Sequence, residues 1–365
     1  RELAAAAASV TESRRKNAAG AVAFRDFDAL KLLGVGGFGS VLLVRKREGA
    51  RRGELFAIKV MKKSTYAGRL SEHAFMERNL MLVARHPFLV RLRYAFQSAH
   101  DLYLVTDYFA GGSLEDSLKK HRKGLGRDAA RVIIAELALG LDYLHARDVL
   151  HRDIKAANVL LDVAGHAHLC DFGLAKCVED GWRGGPRKSF AGTVEYMAPE
   201  LLSKGAERPS PALDWWALGV LLIETVQGRT PFHARTPRQL MLNIIREGPQ
   251  IDDADPGLAS VADKLLQKKP GKRLRGADHL ARRRFFEAVD FGALERKAHA
   301  PPFRPEPTSF SGAADAQLAE TFGGGEDGGS VHVHERPSLA FKGEQFAGFS
   351  VFASPPPPAS RKRSA

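Results

Sequence analysis

The sequence predicts an α+β chain of two unequal lobes, a small one made mostly of strands around one helix and a larger one made mostly of helices, followed by a tail. Three observations support this prediction. The chain has 365 residues, more than one domain of about 150 residues would need. Strand-like patterns dominate residues 26–106 and helical patterns dominate residues 111–291. After Pro301 the chain is rich in Gly, Pro and Ser, and we expect this tail to lack a core of its own.

The predicted elements follow from the spacing of apolar residues. In the small lobe, strands are predicted at residues 27–33, 40–46, 55–61 and 102–106, and a helix at residues 69–84. In the large lobe, helices are predicted at residues 113–123, 128–146, 211–227, 238–246 and 260–268. We therefore divide the chain into a low-complexity lead-in (1–25), a small lobe (26–108), a large lobe (109–290) and a tail (291–365). Because residue 1 is Arg, we expect that the chain begins inside a longer product or a processed one.

Composition excludes several classes of protein. With only two cysteines, Cys170 and Cys177, the chain has neither a disulfide framework nor a thiolate-rich zinc module, and we expect an intracellular location, in the cytoplasm or nucleus. The longest apolar run, residues 215–223, is shorter than the roughly 20 residues of a membrane span. We expect no such span.

The formal net charge of +13 has two interpretations, a nucleic-acid-binding surface or a solvated basic surface. Most of the excess lies in residues 26–299 and is scattered. It is accompanied by no RNA-binding aromatic signature, zinc-ligand spacing or basic-zipper heptad. We therefore favour the solvated surface and expect no nucleic-acid partner.

A glycine-rich stretch lies between the first two predicted strands. It consists of Gly34, Val35, Gly36, Gly37, Phe38 and Gly39. Such glycines let backbone N–H groups approach phosphates closely. Dinucleotide-binding folds share this spacing, but their glycines open a helix, whereas Val41 continues a strand here. The pattern predicts a hairpin over nucleotide phosphates, and a nucleotide-binding oxidoreductase stays as an alternative.

A lysine and a glutamate are predicted to form an ion pair beside this hairpin. Alternation along residues 55–61 puts Ala57 and Lys59 on one strand face. Steps of three and four residues put Glu77 on the apolar stripe of the helix at residues 69–84. A buried carboxylate is costly unless it is paired. We predict a Lys59–Glu77 pair that directs the lysine towards phosphates; the alternative is a lysine that reaches solvent.

The large lobe carries the groups that phosphoryl transfer requires. Residues 151–158 read His-Arg-Asp-Ile-Lys-Ala-Ala-Asn, and residues 171–173 read Asp-Phe-Gly. Asn158 and Asp171 offer the hard oxygen ligands that Mg²⁺ prefers. Asp153 can accept the proton of an attacking hydroxyl, and Lys155 can stabilise the transferred group. This order, after the glycine stretch and Lys59, is not expected by chance.

These motifs resemble those of eukaryotic protein kinases over residues 26–286, with the bilobal fold of that family. The resemblance implies transfer of the γ-phosphate of ATP, with Mg²⁺, to Ser or Thr hydroxyls of protein substrates. It implies catalytic roles for Asp153, Lys155, Lys59 and Glu77, and metal binding by Asn158 and Asp171. It implies nucleotide contacts by Gly34, Val35, Gly36, Gly37, Phe38, Gly39, Val41, Ala57, Lys59, Thr106, Asp107, Phe109 and Leu160.

Further segments are similar to the AGC group of kinases. These are residues 86–90, 192–200 and 214–220, with residues 301–305 and 346–350 similar to the group's C-terminal tail in its ribosomal-protein kinase branch. The resemblance implies that Phe346 and Phe349 dock beside the Glu77 helix. It implies phosphorylation at Ser189 and Ser350, an upstream activating kinase, and a further tail phosphosite at Ser330 or Ser338. It also implies that Asp214 braces the catalytic loop and that Glu200 pairs with Arg273.

The chain departs from the AGC pattern where substrates bind. Two glutamates that help AGC kinases select arginine-containing peptides are Ser113 and Ala157 here, and only Glu224 remains. Glu115 and Asp116 are candidates to compensate. We therefore expect a weakened preference for basic peptides. A pseudokinase or scaffold is the remaining alternative, and the complete motif set argues against it.

Overall fold

The computed structural model describes residues 22–36, 39–49, 51–66, 71–177, 194–203, 209–253, 255–307 and 349–352. The chain divides into two compact units. The first unit comprises residues 1–83, 91–108 and 310–365, and the second comprises residues 84–90 and 109–309. Residues 291–307, which the sequence assigns to the tail, belong to the second unit, where Leu294 is fully buried.

The first unit is built on an antiparallel sheet. Its strands are β1 (Phe27–Gly36), β2 (Gly39–Lys46), β3 (Leu55–Lys62), β4 (Leu92–Gln97), β5 (Asp101–Asp107) and β10 (Val351–Phe352), in the order β1-β2-β3-β5-β4-β10. Phe56, Ile58 and Val60 of β3 are buried in an aromatic-rich core, and Ala57 and Lys59 occupy the other face, as the alternation predicts. Val22 and Phe24, which the sequence assigns to the lead-in, pack against the same core.

One helix, α1 (Ser71–Val83), accompanies this sheet. Its buried residues include Ala74, Glu77 and Met81, which are members of the predicted inward stripe. The helix therefore presents a carboxylate on its apolar face. This arrangement requires a cationic partner within the first unit.

The second unit is mostly helical. Its helices are α2 (Leu114–Lys120), α3 (Gly126–His145), α4 (Pro199–Leu202), α5 (Ala212–Gln227), α6 (Pro237–Arg246), α7 (Pro256–Leu265), α8 (Ala277–Ala281) and α9 (Phe291–Glu295). Helix α5 packs against α3 and is buried along almost its whole length, so it forms the centre of this unit. Helix α7 begins earlier than predicted because Asp255 caps it, accepting a hydrogen bond from Leu258 N at 2.8 Å. In the described part of the chain, no helix combines the length and apolar character of a membrane span.

Two short antiparallel strand pairs frame the catalytic loop. Strand β6 (Val149–Leu150) pairs with β9 (Lys176–Cys177), and β7 (Val159–Leu161) pairs with β8 (Ala167–Leu169). Residues 151–158 connect β6 to β7, and Asp171 follows β8 closely. Consequently, the polar residues of the loop are anchored at both ends by backbone pairing.

Candidate active site

The ion pair between Lys59 and Glu77 is formed in the first unit. Lys59 Nζ lies 2.7 Å from Glu77 Oε1, and the Glu77 side chain is only 2% exposed. The lysine lies on β3 opposite Val41 of β2. A charge-assisted hydrogen bond to a buried carboxylate fixes the direction of the lysine side chain.

The β1–β2 hairpin holds the glycine-rich stretch, of which Gly37 and Phe38 lie outside the described residues. Gly36 and Gly39 face each other across the two strands. A Cβ on Gly39, whose φ is 134°, would lie 2.0 Å from Val60 O, whereas a Cβ on Gly34 or Gly36 would meet nothing within 4 Å. Thus Gly39 is required by packing, while Gly34 and Gly36 leave the backbone open to a ligand.

Of the remaining residues predicted to contact the nucleotide, some belong to the first unit and some to the second. Ala57 pairs with Thr106 on β5, whose Oγ1 donates to Ala57 O at 3.5 Å. The carboxylate of Asp107 accepts a hydrogen bond from Arg93 Nε at 2.7 Å. Leu160 is half-buried on β7 of the second unit, where the Phe109 ring also packs against His168.

In the second unit, the carboxylate of Asp153 is held by two neighbours. Lys155 Nζ donates to Asp153 Oδ2 at 2.8 Å, and Asn158 Nδ2 donates to the same oxygen at 2.8 Å. Asn158 Nδ2 also donates to Asp153 O at 2.8 Å. These three predicted residues therefore form one hydrogen-bonded group, in which the loop presents a fixed carboxylate beside a cation.

Asp214 braces this loop, as the resemblance implies. It is 1% exposed and accepts hydrogen bonds from His151 N at 2.9 Å and Arg152 N at 2.7 Å. Burial raises the pKa of Asp214, but the hydrogen bonds from His145 and Arg152 N and the charges of His145 and His151 outweigh burial and hold this pKa below its usual range. Burial lowers the pKa of His151, the buried histidine of the loop. His145, 2.8 Å from Asp214 Oδ2, was not identified from the sequence.

The two predicted metal ligands offer oxygen atoms suited to Mg²⁺. The amide nitrogen of Asn158 is used by Asp153, so its amide oxygen is the atom available to a cation. Asp171 adopts a φ of 61° directly after the β7–β8 hairpin. Among the described residues, no group of three His, Cys, Asp or Glu could form a metal site by itself. The donor set fits Mg²⁺, which commonly binds one or two protein oxygens and completes its shell with waters and phosphates.

Comparison with known proteins establishes the family. A family model described as the protein kinase domain matches residues 27–286. The chain belongs to the protein kinase family. It is 39% identical over 284 residues to ribosomal protein S6 kinase alpha-6 of Mus musculus, covering 76% of this chain and 36% of that relative.

Two further relatives show the same extent of similarity. The chain is 39% identical over 288 residues to ribosomal protein S6 kinase 2 alpha of Xenopus laevis, covering 78% of this chain and 39% of the relative. It is 39% identical over 286 residues to the human alpha-3 kinase, covering 76% of this chain and 38% of the relative. Thus the chain spans well under half the length of these relatives. Their similarity places the kinase domain in the AGC group, as its motifs predict.

The substrate-binding candidate Glu224 of the kinase domain is bonded to Tyr196, whose hydroxyl donates to Glu224 Oε2. Burial, together with the charges of Glu115 and Glu195, raises the pKa of Glu224 to about 7, against the lowering effect of the Tyr196 hydrogen bond. Tyr196 was not identified from the sequence. Its hydroxyl also accepts a hydrogen bond from Ala156 N at 3.4 Å, which connects it to the catalytic loop.

Asp116 and Glu115, the two acids that could replace the missing AGC glutamates, make different contacts. Asp116 forms a capping box with Ser113, accepting from Ser113 Oγ at 2.6 Å while Asp116 N donates to that oxygen at 3.1 Å. Its carboxylate therefore stabilises the start of α2 and is not free for a substrate. Glu115 forms an exposed ion pair with Lys119 and is electrostatically coupled to Glu224. Because an exposed pair contributes little free energy, its carboxylate can exchange partners, and Glu115 remains the candidate of the two.

The tail of the kinase meets α1 of the first unit through Phe349. This ring is fully buried, lies 5.6 Å from the Phe75 ring, and has the Arg78 guanidinium 5.5 Å from its centroid. Ser350 is half-buried beside it, and β10 follows against β4. Phe346 and Ser189 lie outside the described residues.

The ion pair between Glu200 and Arg273, which the family resemblance implies, is present in the second unit. Arg273 donates to Glu200 through both terminal nitrogens, at 2.8 Å and 2.9 Å. The arginine side chain is fully buried. This bidentate pair connects α4, which contains Glu200, to the end of the 3-10 turn Pro270–Lys272, which Arg273 follows.

Proposed function

We propose that this protein is an ATP-dependent protein serine/threonine kinase, which transfers the γ-phosphate of ATP to Ser or Thr hydroxyls of protein substrates. The observation that carries the proposal is the hydrogen-bonded group of Asp153, Lys155 and Asn158. A scaffold without activity would not need a carboxylate held between a lysine and an amide in this way. Family membership and the complete set of Lys59, Glu77 and Asp171 support the same conclusion.

The chemistry follows from the charges of these side chains. Asp153 orients the substrate hydroxyl and accepts its proton, and Lys155 stabilises the charge that develops on the transferred group. Lys59, directed by Glu77, binds the phosphates of ATP under the glycine-rich hairpin. Mg²⁺, held by Asn158 and Asp171, supplies neutralisation of phosphate charge when it is bound.

Regulation by phosphorylation is part of the proposal. Ser350 adjoins the docked Phe349, and Arg78 lies near both Phe75 and Phe349. A phosphate on Ser350 would add charge that a nearby arginine can bind, which would strengthen docking against α1. Ser189 is the proposed site in the activation segment, and an upstream kinase is the proposed partner. We also propose an intracellular location, in the cytoplasm or nucleus, on the basis of the low cysteine content.

A peptide array tests the proposed activity. The protein, phosphorylated at Ser189, is incubated with Mg²⁺ and radiolabelled ATP over an array of Ser and Thr peptides, with Asp171→Ala as the matched control. We expect labelling by the wild type at least about 100-fold above that by Asp171→Ala, because the variant lacks a metal-binding carboxylate. Equal labelling by the two proteins would contradict the proposal.

A further inference from the structure

Residues 268–284 of the second unit form an unusually basic stretch. They include eight Lys or Arg and one acid, Asp278. Two of the bases serve the fold directly. Lys268 Nζ donates to Ile244 O at 2.6 Å, and Arg273 forms the buried pair with Glu200. The function of the remaining bases is not explained by the packing of the kinase domain.

Five of these bases point to solvent, and we call them the basic surface. They are Lys269, Lys272, Arg275, Arg282 and Arg284. Within the described parts of the chain, none of the five forms an ion pair.

Several other exposed bases of the same unit are paired with acids. Arg127 lies 2.8 Å from Asp255, and Lys119 and Arg229 each contact a neighbouring acid. Charge is therefore balanced locally at these three positions but not on the basic surface. A patch of unpaired positive charge attracts anions more strongly than the neighbouring surface does.

The members of the basic surface lie on consecutive short elements of the chain. Helix α8 separates Arg275 from Arg282, and its short length corresponds to a backbone distance of about 10 Å. The 3-10 turns Pro270–Lys272 and Arg284–Phe286 flank the helix. Arg283, between two members, has a buried Nε without a hydrogen-bond partner among the described residues. A separation of this size keeps Arg275 and Arg282 within about one Debye length of each other.

We propose that the basic surface docks an acidic polypeptide segment of a partner protein, in which carboxylates or phosphorylated residues are spaced along the chain. Three of its members are arginines, whose planar forks bind carboxylates and phosphate monoesters in a bidentate manner. Asp278 lies exposed between Arg275 and Arg282. A continuous phosphate backbone would meet this carboxylate, whereas a polypeptide can place an uncharged residue opposite it.

Two other anionic partners fit less well. Residues 268–284 contain none of the exposed large apolar side chains found among the described residues, so the surface has no group to insert into a lipid bilayer. It exposes no Phe, Tyr or Trp ring on which a single-stranded base could stack, and the ring of His279 is held by a hydrogen-bond contact between its Nδ1 and Arg275 O at 2.6 Å. Docking at this surface goes beyond the proposed function and does not depend on phosphoryl transfer, so binding can be measured whether or not the protein is active.

Fluorescence anisotropy of the full chain tests the proposal. The probe is a labelled 16-residue peptide of alternating Glu-Glu and Ser-Gly pairs, measured at about 0.15 M salt, where weak long-range attraction is screened. The variant carries Lys272→Glu, Arg275→Glu and Arg282→Glu. We expect its Kd to be at least about tenfold higher than that of the wild type, because three attractive contacts become repulsive.

The matched control carries Arg122→Glu, Lys123→Glu and Arg238→Glu, three exposed bases of the same unit, and so has the same net charge. Its Kd should stay within about threefold of the wild type. Unchanged thermal unfolding of both variants establishes that they are folded. The proposal is overturned if the wild type does not bind the peptide, or if both variants weaken binding equally. Tighter binding to a DNA duplex or to phosphatidylserine vesicles than to the peptide would overturn it as well.

Discussion

Glu224 is a half-buried carboxyl that we propose takes part in substrate choice. Two glutamates of the AGC pattern are absent, so we expect Glu224 to carry more of the electrostatic selection than it would beside them. We also expect its environment to make that selection sensitive to pH. Because its pKa is raised to about 7, the carboxyl is largely neutral at pH 6 and largely ionised at pH 8.

Preference for arginine-containing peptides should therefore rise with pH. We expect the ratio of kcat/KM for a peptide with Arg to that for its Gln counterpart to increase about fivefold from pH 6 to pH 8, equivalent to about 1 kcal/mol. Use of a ratio cancels pH effects common to both peptides. Glu224→Gln, which cannot ionise, should make the ratio constant; a rise that persists in this variant would contradict the assignment.

The sequence predicts a contact between two residues best when each residue lies in a strand or helix with a clear apolar period. The pairing of Lys59 with Glu77 is predictable because a strand period and a helix period each fix the face on which a side chain lies. The contact between His145 and Asp214 has no such signal, since the two residues lie far apart in the chain and meet only after packing. The capping role of Asp116 does have a signal in the sequence, the Ser-x-x-Asp spacing. The assignment of Asp116 to substrate binding does not take this spacing into account.

At the scale of elements, the β1–β2 hairpin separates two roles of glycine. Gly39 has a positive φ and would place a Cβ against Val60 O of β3, while Gly36 faces open space. We expect Gly39→Ala to lower the midpoint of thermal unfolding by at least about 4 °C, because it adds both backbone strain and a clash.

Gly36→Ala is the matched control for this prediction. It should leave the unfolding midpoint within about 1 °C of the wild type, although it can weaken nucleotide binding by crowding the backbone. Differential scanning calorimetry distinguishes the two variants. Equal midpoints for Gly39→Ala and the wild type would show that β2 and β3 do not pack as described.

The prediction of elements succeeded where length and period were clear. Strands β2 and β3 and helix α6 were predicted to within one residue. Strand β10 was not predicted because its two residues pair with Ala95 and Tyr94 of β4, so its pairing depends on contacts distant in sequence. Helix α7 starts four residues before the predicted position because a cap and a proline, rather than the apolar period, set its first turn.

At the scale of the whole molecule, the tail residue Phe349 contacts the helix that carries Glu77. Phe75 and Arg78, which contact Phe349, lie on the same helix as Glu77, the carboxylate partner of Lys59. We expect Phe349→Ala to reduce kcat by about tenfold, since loss of a buried ring removes up to about 3–5 kcal/mol of packing that holds α1. Steady-state kinetics on one peptide substrate measure this change.

Rescue in trans provides the control. A synthetic peptide of residues 345–352 should restore most of the activity of Phe349→Ala, and the same peptide with Ala at position 349 should not. Activity of Phe349→Ala equal to that of the wild type would show that docking of the tail has no influence on α1.

The central claim is that Asp153 makes this domain an enzyme rather than a nucleotide-binding scaffold, and single-turnover phosphoryl transfer tests it most directly. Wild type and Asp153→Asn, each saturated with Mg²⁺ and radiolabelled ATP, are mixed with the best peptide of the array. We predict similar ATP affinity for the two proteins, but a rate constant for transfer at least about 100-fold lower for Asp153→Asn. Equal rate constants, or no transfer by either protein, would contradict the account.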